Sequence, residues 1–135
     1  MHWQVTFWGT RGSIPTPGPG TARYGGNTAC ISISSGDGRL VILDAGSGLR
    51  PLGHELMKQR NGIITADILL SHTHWDHIQG LPFFKPLSAR DTSVTIYGAA
   101  QEGVALGLGS VKYSMTCGRD EDQPLCYHGV WAGRR

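Results

Sequence analysis

Four side chains that can bind a metal ion lie within six positions of the stretch "SHTHWDHIQG". They are His72, His74, Asp76 and His77, and only Ser71 separates them from the apolar run "ADILL". Alternate residues of an extended chain face the same side, so the spacing predicts that the imidazoles of His72 and His74 converge. Asp76 and His77 can then occupy a second position, as in hydrolases whose two ions lie about 3.5–4 Å apart. We therefore predict a site for two divalent ions.

The donor types indicate which ions would fit. Imidazole nitrogen and carboxylate oxygen suit Zn²⁺, with Mn²⁺ or Fe as competitors, because no thiolate is close in sequence. Cys117 and Cys126 lack a C-x-x-C partner and are weaker ligand candidates. The alternative is a set of solvated loop histidines or a hydrogen-bonded core histidine, and it fits poorly with three His and one Asp in six positions.

The elements that must position this site follow from the residue patterns. Alternation of Trp3, Val5 and Phe7 with polar residues predicts a half-buried strand at the start of the chain. The further predictions are a hairpin of strands 28–34 and 39–46 turning at Asp37-Gly38, a helix over 47–59, a buried strand over 66–71 and a strand over 93–98.

Residues 9–27 are too rich in Gly and Pro for a helix or a central strand. Four of their side chains could donate hydrogen bonds to a phosphate at the mouth of the site: Arg11, Ser13, Arg23 and Asn27. The alternative is that Gly and Pro simply shape a long surface connection. The loop has no G-K-[ST] and is therefore not a Walker loop.

Composition and charge limit the number of domains, the kinds of partner and the cellular compartment that we expect for the protein. A chain of 135 residues with a net charge of +2 is expected to form one domain, and its scattered cationic residues do not indicate a nucleic-acid stripe. Three widely spaced cysteines predict free thiols in a reduced, cytoplasmic setting. The N-terminal sequence lacks signal-peptide features, and no apolar run reaches membrane-spanning length, so we expect no membrane association.

The motif "HTHWDH" resembles the H-x-H-x-D-H signature of the metallo-β-lactamase fold superfamily. "FWGTRGSIPTPG", "YGGNTACISI", "LVILDAGSGLRPLG" and "ILLSHTHWDHIQGLPFF" extend the resemblance, over about residues 3–102, to a branch of phosphodiesterases and Z-type ribonucleases. It implies an α/β fold, the N-terminal half of an αββα sandwich. It also implies that His72 and His74 hold the first metal and that Asp76 and His77 hold the second, with Asp44 a supporting residue. From the residues alone, Asp44 could equally be an ordinary turn-forming Asp.

The resemblance implies a binuclear hydrolase in which metal-activated hydroxide attacks a phosphodiester. A small cyclic-phosphate or nucleotide-like substrate is the first expectation, and RNA remains open although the charge does not indicate it. The family would supply a third His, a bridging Asp and a further His from its C-terminal half. Here residues 103–135 form a divergent, poorly patterned tail with only His128, Asp120 and Asp122 as late candidates. We therefore expect a truncated chain of impaired activity, divided into residues 1–102 and 103–135.

Three alternatives stay open. The chain could be a catalytically inactive, metal-binding half-domain. A half-sandwich would leave an apolar sheet face without its partner layer, and two copies of the chain could form a homodimer through that face. Finally, "VILDAGSG" resembles the strand, acid and G-x-G of an adenosyl-cofactor-binding, methyltransferase-like unit, although Pro51 stands at the third glycine position and "HTHWDH" stays unexplained.

Overall fold

A computed structural model describes residues 2–59, 63–89 and 92–98 and the backbone of 111–116. One six-stranded sheet with its strands in chain order forms the centre of the molecule. The strands are β1 (Trp3–Gly9), β2 (Cys30–Ser35), β3 (Leu40–Leu43), β4 (Ile64–Leu69), β5 (Thr92–Gly98) and β6 (Val111–Thr116). The helices are α1 (Leu49–Lys58) and α2 (Trp75–Ile78), and 3-10 turns lie at Pro19–Thr21, Leu81–Phe83 and Lys85–Ser88.

The strand pairing changes direction across the sheet. Strands β1, β2 and β3 are antiparallel neighbours, and the predicted hairpin at Asp37-Gly38 is confirmed, with Gly38 at φ 86°. Strand β3 pairs in parallel with β4, and β4 with β5, while α1 forms the crossover between β3 and β4. Leu43 lies opposite Leu69 at the ends of β3 and β4. The loops that follow these two strands must therefore emerge at the same edge of the sheet.

The hydrophobic core lies on one face of the sheet, under α1 and the two later 3-10 turns. Gly53 lets α1 pack closely against Phe84, because a Cβ at Gly53 would lie 2.8 Å from Phe84 Cδ2. The predicted helix over 47–59 is confirmed, with its apolar stripe directed into this core. The large core side chains are Ile42, Leu49, Leu52, Ile68, Phe84 and Val94.

The opposite face of the sheet is apolar and has no covering layer among the described residues. The predicted first strand is present, but Trp3, Val5 and Phe7 are 56%, 53% and 64% exposed rather than half-buried. The reason is that α1 packs against the other side of the sheet. The strand register carries the same open face across the next two strands through Ile31, Ile33, Val41 and Leu43.

Strand β6 lies within residues 103–135, the region that the sequence predicts to be a divergent, poorly patterned tail. Its sequence "VKYSMT" alternates apolar and polar residues, and it pairs antiparallel with β5. The alternation was overlooked because the surrounding residues dilute it. The late ligand candidates His128, Asp120 and Asp122 lie outside the described residues, as do Cys117 and Cys126. Within the described part of the chain, none of the helices is long and apolar enough to cross a bilayer.

Cys30 at the start of β2 is a free, fully buried thiol. Burial, and secondly the charge of Asp44, raise its pKa to about 12. A cysteine in the unfolded chain has a pKa of about 8.5. Because the folded-state pKa is higher, the contribution of Cys30 to the stability of the fold is present below about pH 8.5 and is lost as the pH rises toward 12.

We predict that iodoacetamide at pH 8 alkylates Cys30 at least 100-fold more slowly in the folded protein than in urea, because only the thiolate reacts. Mass spectrometry of the Cys30 peptide measures the rate. Equal rates in the two conditions would contradict this burial.

Candidate metal centre

The histidine motif lies at the sheet edge where β3 and β4 end. Backbone hydrogen bonds fix the chain as it leaves the sheet: Asp44 N donates to Leu69 O at 2.9 Å, and Leu70 N donates to Tyr97 O at 2.7 Å. The motif then continues from Ser71 into the short helix α2. The parallel β3–β4 pair therefore brings Asp44 beside the motif, although 27 residues separate Asp44 from Ser71.

Asp44 is the anchor of the cluster. Its carboxylate accepts hydrogen bonds from Ser71 N and Ser71 Oγ, both at 2.8 Å, and lies 2.9 Å from His77 Nδ1. Its backbone has φ 59°, a left-handed conformation that Asp tolerates better than most residues. Asp44 is thus a turn-forming residue and a contact of the cluster at once, so the two sequence interpretations do not exclude each other.

His77 lies between two carboxylates. Its Nδ1 faces Asp44, and its Nε2 lies 3.3 Å from Asp76 Oδ2. A neutral ring that donates from Nδ1 to Asp44 leaves the Nε2 lone pair free for a ligand, as metal-binding histidines commonly do. Two donors on one zinc ion, with bonds of about 2.0–2.2 Å, lie about 3.0–3.5 Å apart. The spacing of His77 Nε2 and Asp76 Oδ2 therefore fits one shared ion.

His72 and His74 also lie in the cluster, and both are exposed. Their ring centroids are 4.6 Å apart, and the His72 ring is 4.0 Å from that of His77. Ser71 Oγ lies 3.0 Å from His72 Nδ1. The four predicted ligands and Asp44 are thus neighbours in space.

The donor set fits divalent ions in chemistry but is incomplete in geometry. Among the described residues, no group of three or more His, Cys, Asp or Glu side chains converges as a metal-ligand set. The close contacts are instead pairwise: His72 with His77, His72 with His74, and Asp76 with His77. A catalytic zinc normally has three protein ligands. Each pair would therefore need at least one further ligand.

The glycine-rich loop folds over this cluster. Ser13 N donates a hydrogen bond to Asp76 Oδ2 at 2.9 Å, and this contact is the main cause that lowers the pKa of Asp76, with smaller effects from His77 and His72. The carboxylate is thereby held in its ionised, ligand form. The Ser13 amide therefore has a partner within the protein, whereas the Ser13 side chain, the predicted phosphate donor, is exposed.

The other loop donors differ as well. Asn27 is structural, because its Oδ1 accepts from Ser47 Oγ at 3.0 Å and its backbone O accepts from Thr10 N and Arg11 N. The Arg23 guanidinium lies 5.0 Å from the Tyr24 ring centroid. Arg11 Nε is shielded from solvent and has no hydrogen-bond partner within the described part of the chain.

Sequence reasoning missed a polar network beneath the site. Thr28 and Ser47 bond reciprocally: Thr28 N donates to Ser47 Oγ at 2.9 Å, and Ser47 N donates to Thr28 Oγ1 at 2.8 Å. Gln79, just after α2, donates from Nε2 to Thr28 Oγ1 at 3.1 Å. The network joins three segments that are distant in sequence. Its small hydroxyl residues show no helical or strand period in the sequence. The only local signals are the segments "GGNT", which contains Thr28, and "DAGSG", which contains Ser47.

Glycines let these segments touch. A Cβ on Gly46 would lie 2.3 Å from Asp76 O, and one on Gly80 would lie 2.1 Å from Gly46 O. A Cβ on Gly48 would lie 2.7 Å from the backbone carbon of Trp8. The protein itself fills the space that a cofactor would need around the G-x-G of "DAGSG". This packing argues against the adenosyl-cofactor interpretation.

Comparison with known proteins gives a consistent relationship. No protein-family model matches the chain. Ribonuclease Z of Haloarcula marismortui is 33% identical over 82 residues, which are 61% of this chain and 23% of that protein. Ribonuclease Z of Haloferax volcanii is 30% identical over 101 residues, 73% of this chain and 28% of that protein. A Thermotoga maritima structure assigned to the metallo-β-lactamases has a TM-score of 0.40 and 21% identity, covering 70% of this chain and 42% of that one.

The matches to ribonuclease Z support the predicted resemblance to the metallo-β-lactamase fold hydrolases, over part of the domain. The fold class predicted from the sequence is thereby confirmed. The chain spans about a quarter of the length of these curated relatives.

Loop contact through Gly46 and Gly80 should be essential for stability. We predict that Gly46→Ala and Gly80→Ala each lower the free energy of unfolding by about 2 kcal/mol or more, because the added methyl overlaps backbone atoms that cannot move independently. Gly36→Ala is the matched control, since a Cβ at Gly36 meets nothing within 4 Å. Urea denaturation measures all three variants, and equal stability of the three would contradict the close approach.

Proposed function

We propose that this protein is a metal-dependent phosphodiester hydrolase whose two divalent ions are held by His72 with His74 and by Asp76 with His77. Zn²⁺ is the first candidate, and Mn²⁺ or Fe are the alternatives. The observation that carries the proposal is the position of His77, which lies between the carboxylates of Asp44 and Asp76 with Nε2 available. Similarity to ribonuclease Z supports the same reaction class.

The chain's own residues would prepare the ligands. Asp44, fixed by Ser71, orients the His77 ring and holds its proton on Nδ1. Ser13 fixes the Asp76 carboxylate. Divalent ions bound in such a site lower the pKa of water from 15.7 toward about 7 and neutralise phosphoryl charge.

The site lies at the surface, which bears on the substrate. His72, His74 and the neighbouring Trp75 are exposed, so a phosphodiester within a long chain could reach the cluster as easily as a small molecule. The shared chemistry of these substrates is an anionic phosphodiester. RNA is favoured by the named relatives, and a cyclic phosphate remains the smaller alternative.

The test is hydrolysis by the purified chain, loaded with Zn²⁺ or Mn²⁺, of three substrates: bis(p-nitrophenyl) phosphate, a 2′,3′-cyclic nucleotide and an RNA with a 3′ extension. We predict that turnover requires metal and that Asp76→Ala reduces it at least about 100-fold, because it removes the carboxylate of one ligand pair. Asp67→Ala on β4 removes a carboxylate away from the cluster and should leave the rate unchanged.

Each outcome of this test has a distinct meaning. Metal-dependent turnover that survives Asp76→Ala would refute the assigned role. Stoichiometric metal binding without turnover of any substrate would favour the inactive half-domain, which the incomplete ligand pairs make the main rival. A folded chain that retains no divalent ion would overturn both.

The open sheet face supports a second proposal, that two copies of the chain associate through it. Eight side chains on this face are apolar: Trp3, Val5, Phe7, Ile31, Ile33, Val41, Leu43 and Leu69. The carboxylate of Asp67, opposite Val41, lies on the same face. The part of this patch on β1, β2 and β3 carries no charge and is complementary to itself, as a two-fold interface requires, with Asp67 of β4 outside the contact. From strand spacings, the patch would bury on the order of 1,000 Å² in a dimer, the lower bound for a specific interface.

We therefore predict a weak dimer with a Kd on the order of micromolar. Light scattering coupled to size exclusion, run over a concentration series, should show a shift toward twice the monomer mass. Val5→Asp should abolish the shift, whereas Ile63→Asp, at a residue 73% exposed and outside this face, should not. A monomer at all concentrations would argue against association.

A further inference from the structure

Ser13 is joined to the metal motif across 63 residues of sequence by one hydrogen bond. Its backbone N–H donates to Asp76 Oδ2 at 2.9 Å. The same oxygen lies 3.3 Å from His77 Nε2. One carboxylate oxygen thus meets a fixed donor on one side and a candidate ligand nitrogen on the other, and it has two lone pairs for them.

The backbone of Ser13 is in a conformation that most residues avoid. Its φ is 75°, and Ser13 and Asp44 are the two non-glycine residues with positive φ in the described part of the chain. Such conformations persist when the surroundings impose them, and they are concentrated at functional sites. Here both residues with this conformation contact the histidine cluster, one through its carboxylate and one through its amide.

The rest of the loop holds Ser13 in place from both sides. Before it, Arg11 N donates to Asn27 O at 3.0 Å, and after it, Thr16 N donates to Gly26 O at 2.8 Å. Gly26 is packed so closely that a Cβ would lie 2.5 Å from Thr16 O. The loop is therefore closed across its base, and the amide of Ser13 is directed at Asp76 rather than free to turn to solvent.

We infer that Ser13 is a positioning residue for the metal centre: its left-handed backbone holds the Asp76 carboxylate where it can share an ion with His77. This rests on the proposed metal site. The contact uses the main-chain amide, and the Ser13 side chain is exposed. The requirement at position 13 is thus for a backbone conformation and not for a hydroxyl.

The experiment is a Co²⁺ titration of the folded protein, followed by the visible absorption of bound cobalt, for three substitutions at position 13. Ser13→Gly keeps the amide and favours positive φ, so it should bind Co²⁺ as tightly as the parent or more tightly. Ser13→Ala should bind somewhat more weakly. Ser13→Val, β-branched and poorly tolerated at positive φ, should bind about 10–100-fold more weakly, as expected when a partner of a ligand is lost.

Gly25 offers a matched control within the same loop. It has φ 81°, and a Cβ there meets nothing within 4 Å. Gly25→Val therefore imposes a similar conformational strain at a residue that does not bond to Asp76. It should leave Co²⁺ affinity within about two-fold of the parent, while circular dichroism checks that each variant is folded.

The outcomes separate this inference from the proposed function. If the parent protein binds no Co²⁺, the metal site itself is wrong. If the parent binds and Ser13→Val binds equally well, Ser13 does not position Asp76. If Ser13→Gly is as weak as Ser13→Val, the hydroxyl rather than the amide matters, and if Gly25→Val weakens binding equally, the effect is one of general loop stability. Either of these results would overturn the inference.

Discussion

The arrangement of the site depends on the close contact between the loop after β3 and the motif after β4. Gly46 and Gly80 permit it, since a methyl on either would overlap the backbone of the opposite loop. Backbone hydrogen bonds from Ala45 N to His77 O and from Gly80 N to Ala45 O, at 2.8 and 2.9 Å, tie the two loops together. Because main chain is bonded to main chain, the Asp44 carboxylate reaches His77 without a flexible intermediate.

This contact gives the cluster its order. Asp44 receives two hydrogen bonds from Ser71 and faces His77, and His77 in turn faces Asp76, which the Ser13 amide holds from the other side. Each member is thus fixed by a group that is itself anchored to backbone. Such an outer layer is what tunes and orients ligands in metal sites. Among the residues that the structure describes, none covers the mainly apolar face of the sheet on the side away from α1.

Local sequence patterns predicted the elements because each has its own period or turn signal. "SGDG" marked the hairpin, the spacing of Leu49, Leu52 and Leu56 marked α1, and the density of His and Asp marked the site. The features that the sequence did not predict depend on tertiary contacts. Trp3 and Phe7 are exposed because α1 covers the opposite face of the sheet. Asp76 accepts a hydrogen bond from Ser13, in a loop distant in sequence, and Asp44 accepts hydrogen bonds from Ser71. No residue-level pattern encodes a main-chain donor such as Ser13 N.

We infer that His77 carries its proton on Nδ1, donated to Asp44, and presents Nε2 to a divalent ion. Long-range ¹H–¹⁵N correlation NMR of the histidine side chains tests it directly, because the two tautomers differ in which ring nitrogen carries hydrogen. We expect the Nδ1–H tautomer for His77 and a change in the Nε2 resonance when Zn²⁺ is added. An Nε2–H tautomer that is unaffected by Zn²⁺ would contradict it.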